Sequence, residues 1–146
     1  MLSEAQLRRD LQEAMKARDG TTVGVLRGLL ASLANRRIEA RGAEPSEAEL
    51  LALVQREVKQ RDEALDYARQ AGRVDLVEQN GAERAVLERY LPRMLEDGEL
   101  ANLLRSWVAE GVSTIGPLMA RLKEGFPGQY DGKRASELAR EILSGR

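Results

Sequence analysis

Tyr90-Leu91-Pro92-Arg93-Met94-Leu95 is the stretch at which a long run of helical pattern hands over to a shorter one. Proline has no N–H to continue a helix, and it pushes the residue before it out of the α region. Leu91-Pro92 therefore predicts a break in a chain that otherwise reads as helix almost end to end. No segment alternates with the period of a strand, and no internal repeat or low-complexity tract interrupts the pattern.

Working toward the N-terminus, Pro45-Ser46 with Glu49 forms a capping box ahead of an apolar run. The helix it opens spans about 46–71, where Leu51, Val54, Val58, Leu65 and Ala68 keep a seven-residue repeat. Arg61 occupies a seam position of that repeat, where an apolar residue is expected; it either meets a buried carboxylate or points into a groove. Ser3 with Gln6 opens a first helix of about 3–18, which Asp19-Gly20 is expected to end with glycine as the left-handed cap. A second helix starts at Thr21 or Thr22, runs through Val25, Leu26, Leu29, Leu30 and Leu33, and closes with Arg36, Arg37 and Arg41 at the negative end of its dipole. The fourth, about 74–90, carries Asn80-Gly81 in its middle, which predicts a kink or irregular turn.

Beyond the joint, Asp97 to Glu110 reads as a fifth helix with Leu100, Leu103, Leu104 and Trp107 inward. Ser113 is expected to cap a sixth, with Pro117 tolerated in its first turn, and Asp131-Gly132 opens the last. The expectation is an all-α fold: an N-terminal four-helix domain over 1–93, followed by a small three-helix C-terminal domain over 94–146.

Composition limits the chemistry. The chain has 146 residues, 42% of them hydrophobic and only 3% aromatic, so its core is built from aliphatic side chains. There is no Cys and no His, which removes disulfides, thiolate nucleophiles, Cys/His zinc sites and imidazole acid–base catalysis. Carboxylates are plentiful but follow polar helical surfaces, and no Gly-rich phosphate loop, metal-ligand spacing or nucleophile–base pair occurs. The expectation is no catalytic residue, no metal and no cofactor. Lys plus Arg number 23 against 24 Asp plus Glu, so nucleic-acid contact would have to come from local patches. No apolar run reaches a membrane span and the N-terminus does not read as a signal peptide, so the expected compartment is the cytosol.

Two groups of cations stand out. Arg56, Lys59, Arg61, Arg69 and Arg73 line the third helix and its exit as a phosphate-contacting stripe, or, more plainly, form a solvated face interleaved with Glu57, Asp62, Glu63 and Asp66. In Asp131-Gly132-Lys133-Arg134, first-turn N–H groups with Lys133 and Arg134 can receive a phosphate, or the segment is a turn and cap only. Arg27, at the edge of an apolar stripe, is expected in a structural ion pair. Trp107 is in register with leucines and is read as core rather than a base-stacking platform.

Six pieces in order carry a family resemblance: Leu26-Arg27, Arg56-Glu57-Val58-Lys59-Gln60-Arg61, Gly72-Arg73-Val74-Asp75-Leu76-Val77, Tyr90-Leu91-Pro92, Glu99-Leu100 and Asp131-Gly132-Lys133. With them the chain resembles the YqeY family, stand-alone relatives of the tail domain of GatB. GatB is a subunit of the glutamine-dependent amidotransferase that acts on Glu-tRNA(Gln) or Asp-tRNA(Asn). The resemblance implies an accessory protein whose partner is tRNA or a tRNA-bearing complex, with Arg27, Arg56, Lys59, Arg61, Arg73, Lys133 and Arg134 as candidate RNA contacts. The label "carbon–nitrogen ligase with glutamine as amido-N-donor" would be inherited from the large GatB domain, which this chain lacks. Before Asp131 the family carries a basic run; here it is Pro127-Gly128-Gln129-Tyr130, without cations. The alternative, from the balanced charge and the long heptad-like helix, is a protein–protein adaptor docking by apolar helical faces.

Overall fold

The computed structural model describes residues 2–39 and 41–145. Within them the protein is all-α, with helices α1 (Glu4–Lys16), α2 (Gly20–Glu39), α3 (Glu47–Gln70), α4 (Val74–Glu88), α5 (Asp97–Ala109), α6 (Ile115–Gly125) and α7 (Gly132–Leu143). They fall into two compact units, Met1–Leu91 with α1–α4 and Pro92–Arg146 with α5–α7. α4 stops at Glu88, and a turn carries the chain to Pro92.

Local chemistry sets the helix ends. The Ser46 hydroxyl accepts from the Glu49 N–H at 3.2 Å and the Glu49 carboxylate accepts from the Ser46 N–H at 3.1 Å, the reciprocal box read from sequence. Between α1 and α2 the expectation is wrong by two residues. Arg18, not Gly20, takes the left-handed conformation (φ 57°), and Gly20 is already the first residue of α2. Asp19 caps that helix: its carboxylate accepts from the Thr22 N–H at 3.1 Å and hydroxyl at 2.6 Å. The Asp19 N–H donates to the Ala14 carbonyl and the Arg18 N–H to the Met15 carbonyl. The same pair of bonds closes α3 around Gly72 and α5 around Gly111, both glycines at positive φ. Thr114, not Ser113, stands at the cap of α6.

Nor does Asn80-Gly81 kink its helix. α4 is continuous, and the Asn80 side-chain amide donates to the Leu76 carbonyl at 2.9 Å within it. Packing of α4 against α3 and α2 overrides the intrinsic cost of glycine.

Leu7, Val25, Leu26, Leu29, Leu33, Leu50, Leu51, Val54, Val86 and Leu87 form the core of the first unit. Each buried leucine contributes roughly 1.5–3 kcal/mol against leaving it exposed. α3 enters this core only with its first half. Leu65 and Ala68 are buried as the repeat requires but lie outside it, and no residue between Val58 and Val86 belongs to it. In that outer stretch Arg61 faces Glu83 (3.7 Å) and Asp62 faces Arg84 (2.5 Å), fixing the antiparallel register of α3 against α4. The second unit closes over Leu100, Leu104, Leu118, Leu122, Ala135, Leu138 and Ala139. Its entry segment is held down where the Leu95 N–H donates to the Gln129 carbonyl at 2.7 Å.

Two backbone substitutions should raise the melting temperature. Gly81 is helical, with nothing within 4 Å of an added Cβ. Gly81→Ala should stabilise by roughly 0.5–1 kcal/mol. Arg18→Gly, relieving the left-handed strain, should gain roughly 0.5 kcal/mol, the strain relief exceeding the extra entropy of glycine. Urea titration of each variant checks both.

The exposed Arg93 and Met94 make the joint the place of first proteolytic attack. Trypsin or another protease should cut between Arg93 and Gly98 before it cuts α3. A fragment of residues 1–93 should then keep its helical circular dichroism and melt cooperatively; an unfolded fragment would refute an independently folding N-terminal domain.

Candidate functional site

The second half of α2 and the first half of α3 flank a groove of about 530 Å³, lined by Ser32, Asn35, Arg36, Glu49, Arg56 and Gln60 among others. Arg56 and Lys59, one helical turn apart, share an exposed face of α3. Neither makes an ion pair among the described residues. For Arg56 the reason is local: positions 52, 53, 59 and 60 hold no acid. Arg36 is different, its Nη2 lying 2.5 Å from Glu49 Oε2. Glu39 and Glu57 also reach this groove, so its field is mixed.

The remaining sequence candidates are not gathered here. Arg61 is 80% covered at the α3–α4 interface, with Nη1 at 3.1 Å from Glu57 Oε2, Nη2 facing Glu83, and Nε buried without a hydrogen-bond partner. The polar seam position is thus filled by an ion-pair lock, and Arg61 is no free phosphate ligand. Arg73, at the turn into α4, is held at two points by Asp75 (2.9 and 3.1 Å). Arg27 is exposed on α2 and makes no ion pair among the described residues, against expectation; positions 23, 24, 30 and 31 around it are all uncharged.

In the second unit Lys133 is exposed, but Arg134 is spoken for by Asp97 (3.0 Å) and Glu137 (3.4 Å). Asp131 occupies the cap position of α7 without a side-chain hydrogen bond to it. Trp107 packs on the second core, its ring 6.4 Å from that of Phe126, with the Arg121 guanidinium 5.8 Å over its face. Arg121 is fixed in turn by Glu110 at 2.8 Å. The face that would stack a base is covered.

One constellation escaped the sequence reading. α1, the start of α2 and the end of α4 enclose a groove of about 490 Å³ lined by Asp10, Glu13, Asp19, Arg89 and Tyr90. The Tyr90 hydroxyl donates to Asp10 Oδ2 at 2.6 Å. Burial first, then that carboxylate, push the Tyr90 hydroxyl well above its ordinary range, so it remains a neutral donor. The Thr22 hydroxyl and N–H hold the Asp19 carboxyl below its usual range. Three carboxylates against one guanidinium make this groove repel phosphate. Nothing local signals a bond between residues 80 positions apart.

A two-unit helical protein with this order of motifs is the class that fold and site define. The pattern describing the Yqey-like protein family matches residues 4–143, and the chain belongs to that family. Among curated proteins it is similar to the altered inheritance of mitochondria protein 41 of Lachancea thermotolerans, 32% identical over 70% of this chain and 58% of that protein. It is similar to its namesake in Eremothecium gossypii, 32% identical over 78% of this chain and 63% of the relative. The Pyrenophora tritici-repentis protein of that name is 25% identical over 97% of this chain and 81% of its own length. The chain thus spans about three fifths of the first two relatives. All these relatives are named as mitochondrial, which overturns the expectation of a cytosolic compartment. That expectation rested on a missing span and a missing secretory pattern, and neither absence specifies a compartment.

A pH prediction follows from the start of α5. The Glu99 carboxylate accepts twice from the Arg93 guanidinium (2.8 Å each) and once from the Glu96 N–H (3.2 Å). Arg93 first, then that N–H, lower its pKa from 4.5 to about 2. A depressed folded pKa stabilises above the unfolded value, so the contribution is full above pH ~4.5 and is lost as pH falls toward 2. Urea titrations should show Glu99→Gln less stable than wild type at pH 7, with the gap narrowing below pH ~4.5.

Proposed function

We propose that this protein is an accessory binding module that engages tRNA, or a complex carrying it, without catalysis of its own. The observation supporting this reading is the pair Arg56 and Lys59, exposed, unpaired among the described residues, and set on one face beside the α2–α3 groove. Phosphate contacts supply most of the affinity of such binding, and unpaired cations supply them without first breaking an internal ion pair. Asn35 and Gln60 in the same groove add donors for backbone or base oxygens. The resemblance to the GatB tail is what favours tRNA over other polyanions as the ligand.

Filter binding of the full chain to total tRNA at two salt concentrations tests this. Arg56→Glu with Lys59→Glu should weaken binding at least tenfold and reduce the salt slope by about two, one for each lost phosphate contact. Wild-type binding no tighter than that of an acidic control protein at low salt defeats the reading.

A second reading, the protein–protein adaptor, draws on a different observation: Arg61, Arg73 and Arg134, three of the candidate RNA contacts, are already neutralised by carboxylates. A pull-down with and without ribonuclease separates the two. Recovery lost on ribonuclease treatment supports RNA binding, and recovery that survives it supports the adaptor.

A further inference from the structure

Two arginines, Arg36 from α2 and Arg56 from α3, line the α2–α3 groove, and among the described residues only Arg36 is held by a carboxylate. That hold is divided. Glu49 Oε2 lies 2.5 Å from Arg36 Nη2 and also accepts from the Ser46 N–H at 3.1 Å. One oxygen thus serves a neighbouring helix and the cap of its own. The two side chains are 38% and 43% exposed, so water screens the pair and opening it costs little. Other paired arginines are held harder: Arg61 lies between Glu57 and Glu83, and Asp75 grips Arg73 at two points. Nor does Glu49 depend on Arg36. It stands at the third position of α3, where the Ser46 N–H and the positive end of the helix dipole remain to it when Arg36 leaves.

We infer that Arg36 is a phosphate contact held in reserve. An RNA backbone entering the groove beside Arg56 takes the guanidinium from Glu49, which falls back on its cap. A guanidinium forks onto a phosphate through two N–H groups and matches it better than it matches one shared carboxylate oxygen. The groove therefore has two states: with Arg36 on Glu49 it offers one free guanidinium, and with Arg36 released it offers two. Its other acids do not hold Arg36 back. Glu57 is turned to Arg61 at 3.1 Å, and Glu39, three residues beyond Arg36 on α2, makes no ion pair among the described residues. The inference rests on the tRNA reading and adds a regulator to the same site: Glu49 sets the affinity by competing with phosphate for Arg36.

Filter binding of total tRNA to the full chain at two salt concentrations, with three variants, tests this. Glutamine at position 49 keeps the capping box and removes the competing charge. Glu49→Gln should bind about threefold more tightly than wild type, the change expected when an exposed ion pair no longer has to open. Arg36→Gln should bind at least threefold more weakly, with the salt slope lower by about one. The gain from Glu49→Gln should be lost when Arg36→Gln is also present, because Glu49 acts through Arg36. A gain that persists undiminished in the double variant makes Glu49 a through-space repeller of phosphate and overturns the inference. So does Arg36→Gln with wild-type affinity and slope, or Glu49→Gln no tighter than wild type. The two readings fail differently. Wild-type binding that falls with Arg56→Glu and Lys59→Glu but ignores Arg36→Gln overturns the reserve contact alone, and absence of wild-type binding overturns both.

Discussion

The buried seam of α3 is the constraint on which the first unit depends. Leu51 and Val54 enter the core, whereas Leu65 and Ala68, two heptads on, are buried outside it. One helix therefore serves two neighbourhoods. With almost no aromatic residues the core is leucine on leucine, and branched aliphatic side chains hold helices together only where their stripes meet. Where the stripe is interrupted at Arg61, register passes to charge: Glu57 and Glu83 hold the guanidinium, and Arg84 returns the contact to Asp62 one residue further on. Replacing a half-buried arginine by an apolar residue can be neutral or better for stability. What Arg61 secures is the alignment of two helices whose apolar contacts alone would tolerate sliding.

Features written within four residues of sequence were legible. The capping box of Ser46 and Glu49, the break at Leu91-Pro92, the apolar stripes and the inward Trp107 all follow from local periodicity or local hydrogen bonding. What failed involved competition between neighbours or distance along the chain. Gly20 looked like a cap because glycine usually is one, yet Asp19 is the stronger helix starter and takes the position before it. Asn80-Gly81 looked like a kink because propensity ignores the helices packed alongside.

The candidate site was less legible than the fold because charge reads locally and pairs globally. The pairing of Arg61 with Glu57 was visible at i,i+4. Its pairing with Glu83, that of Arg134 with Asp97, and the bond from Tyr90 to Asp10 each cross between helices. Those long-range pairs decide which cations are free. A sequence with nearly equal numbers of acids and bases thus folds into a surface on which many arginines are held in internal ion pairs, while other cations, Arg27, Arg56 and Lys59 among them, make none among the described residues. Membership of the Yqey-like family accounts for the order of motifs. It does not by itself say which of these cations is used.

The outer stretch of α3 and α4 has a consequence for how the protein breathes. Segments that share few buried apolar contacts with a core open at lower free energy than the core itself. Amide protons in the first half of α3, anchored by Leu50, Leu51 and Val54, are released only when the whole unit unfolds. Those near Leu65 and Ala68 are released when two helices part. A single uninterrupted helix thereby carries a gradient of protection along its length, firm at the end that packs and yielding at the end that reaches out.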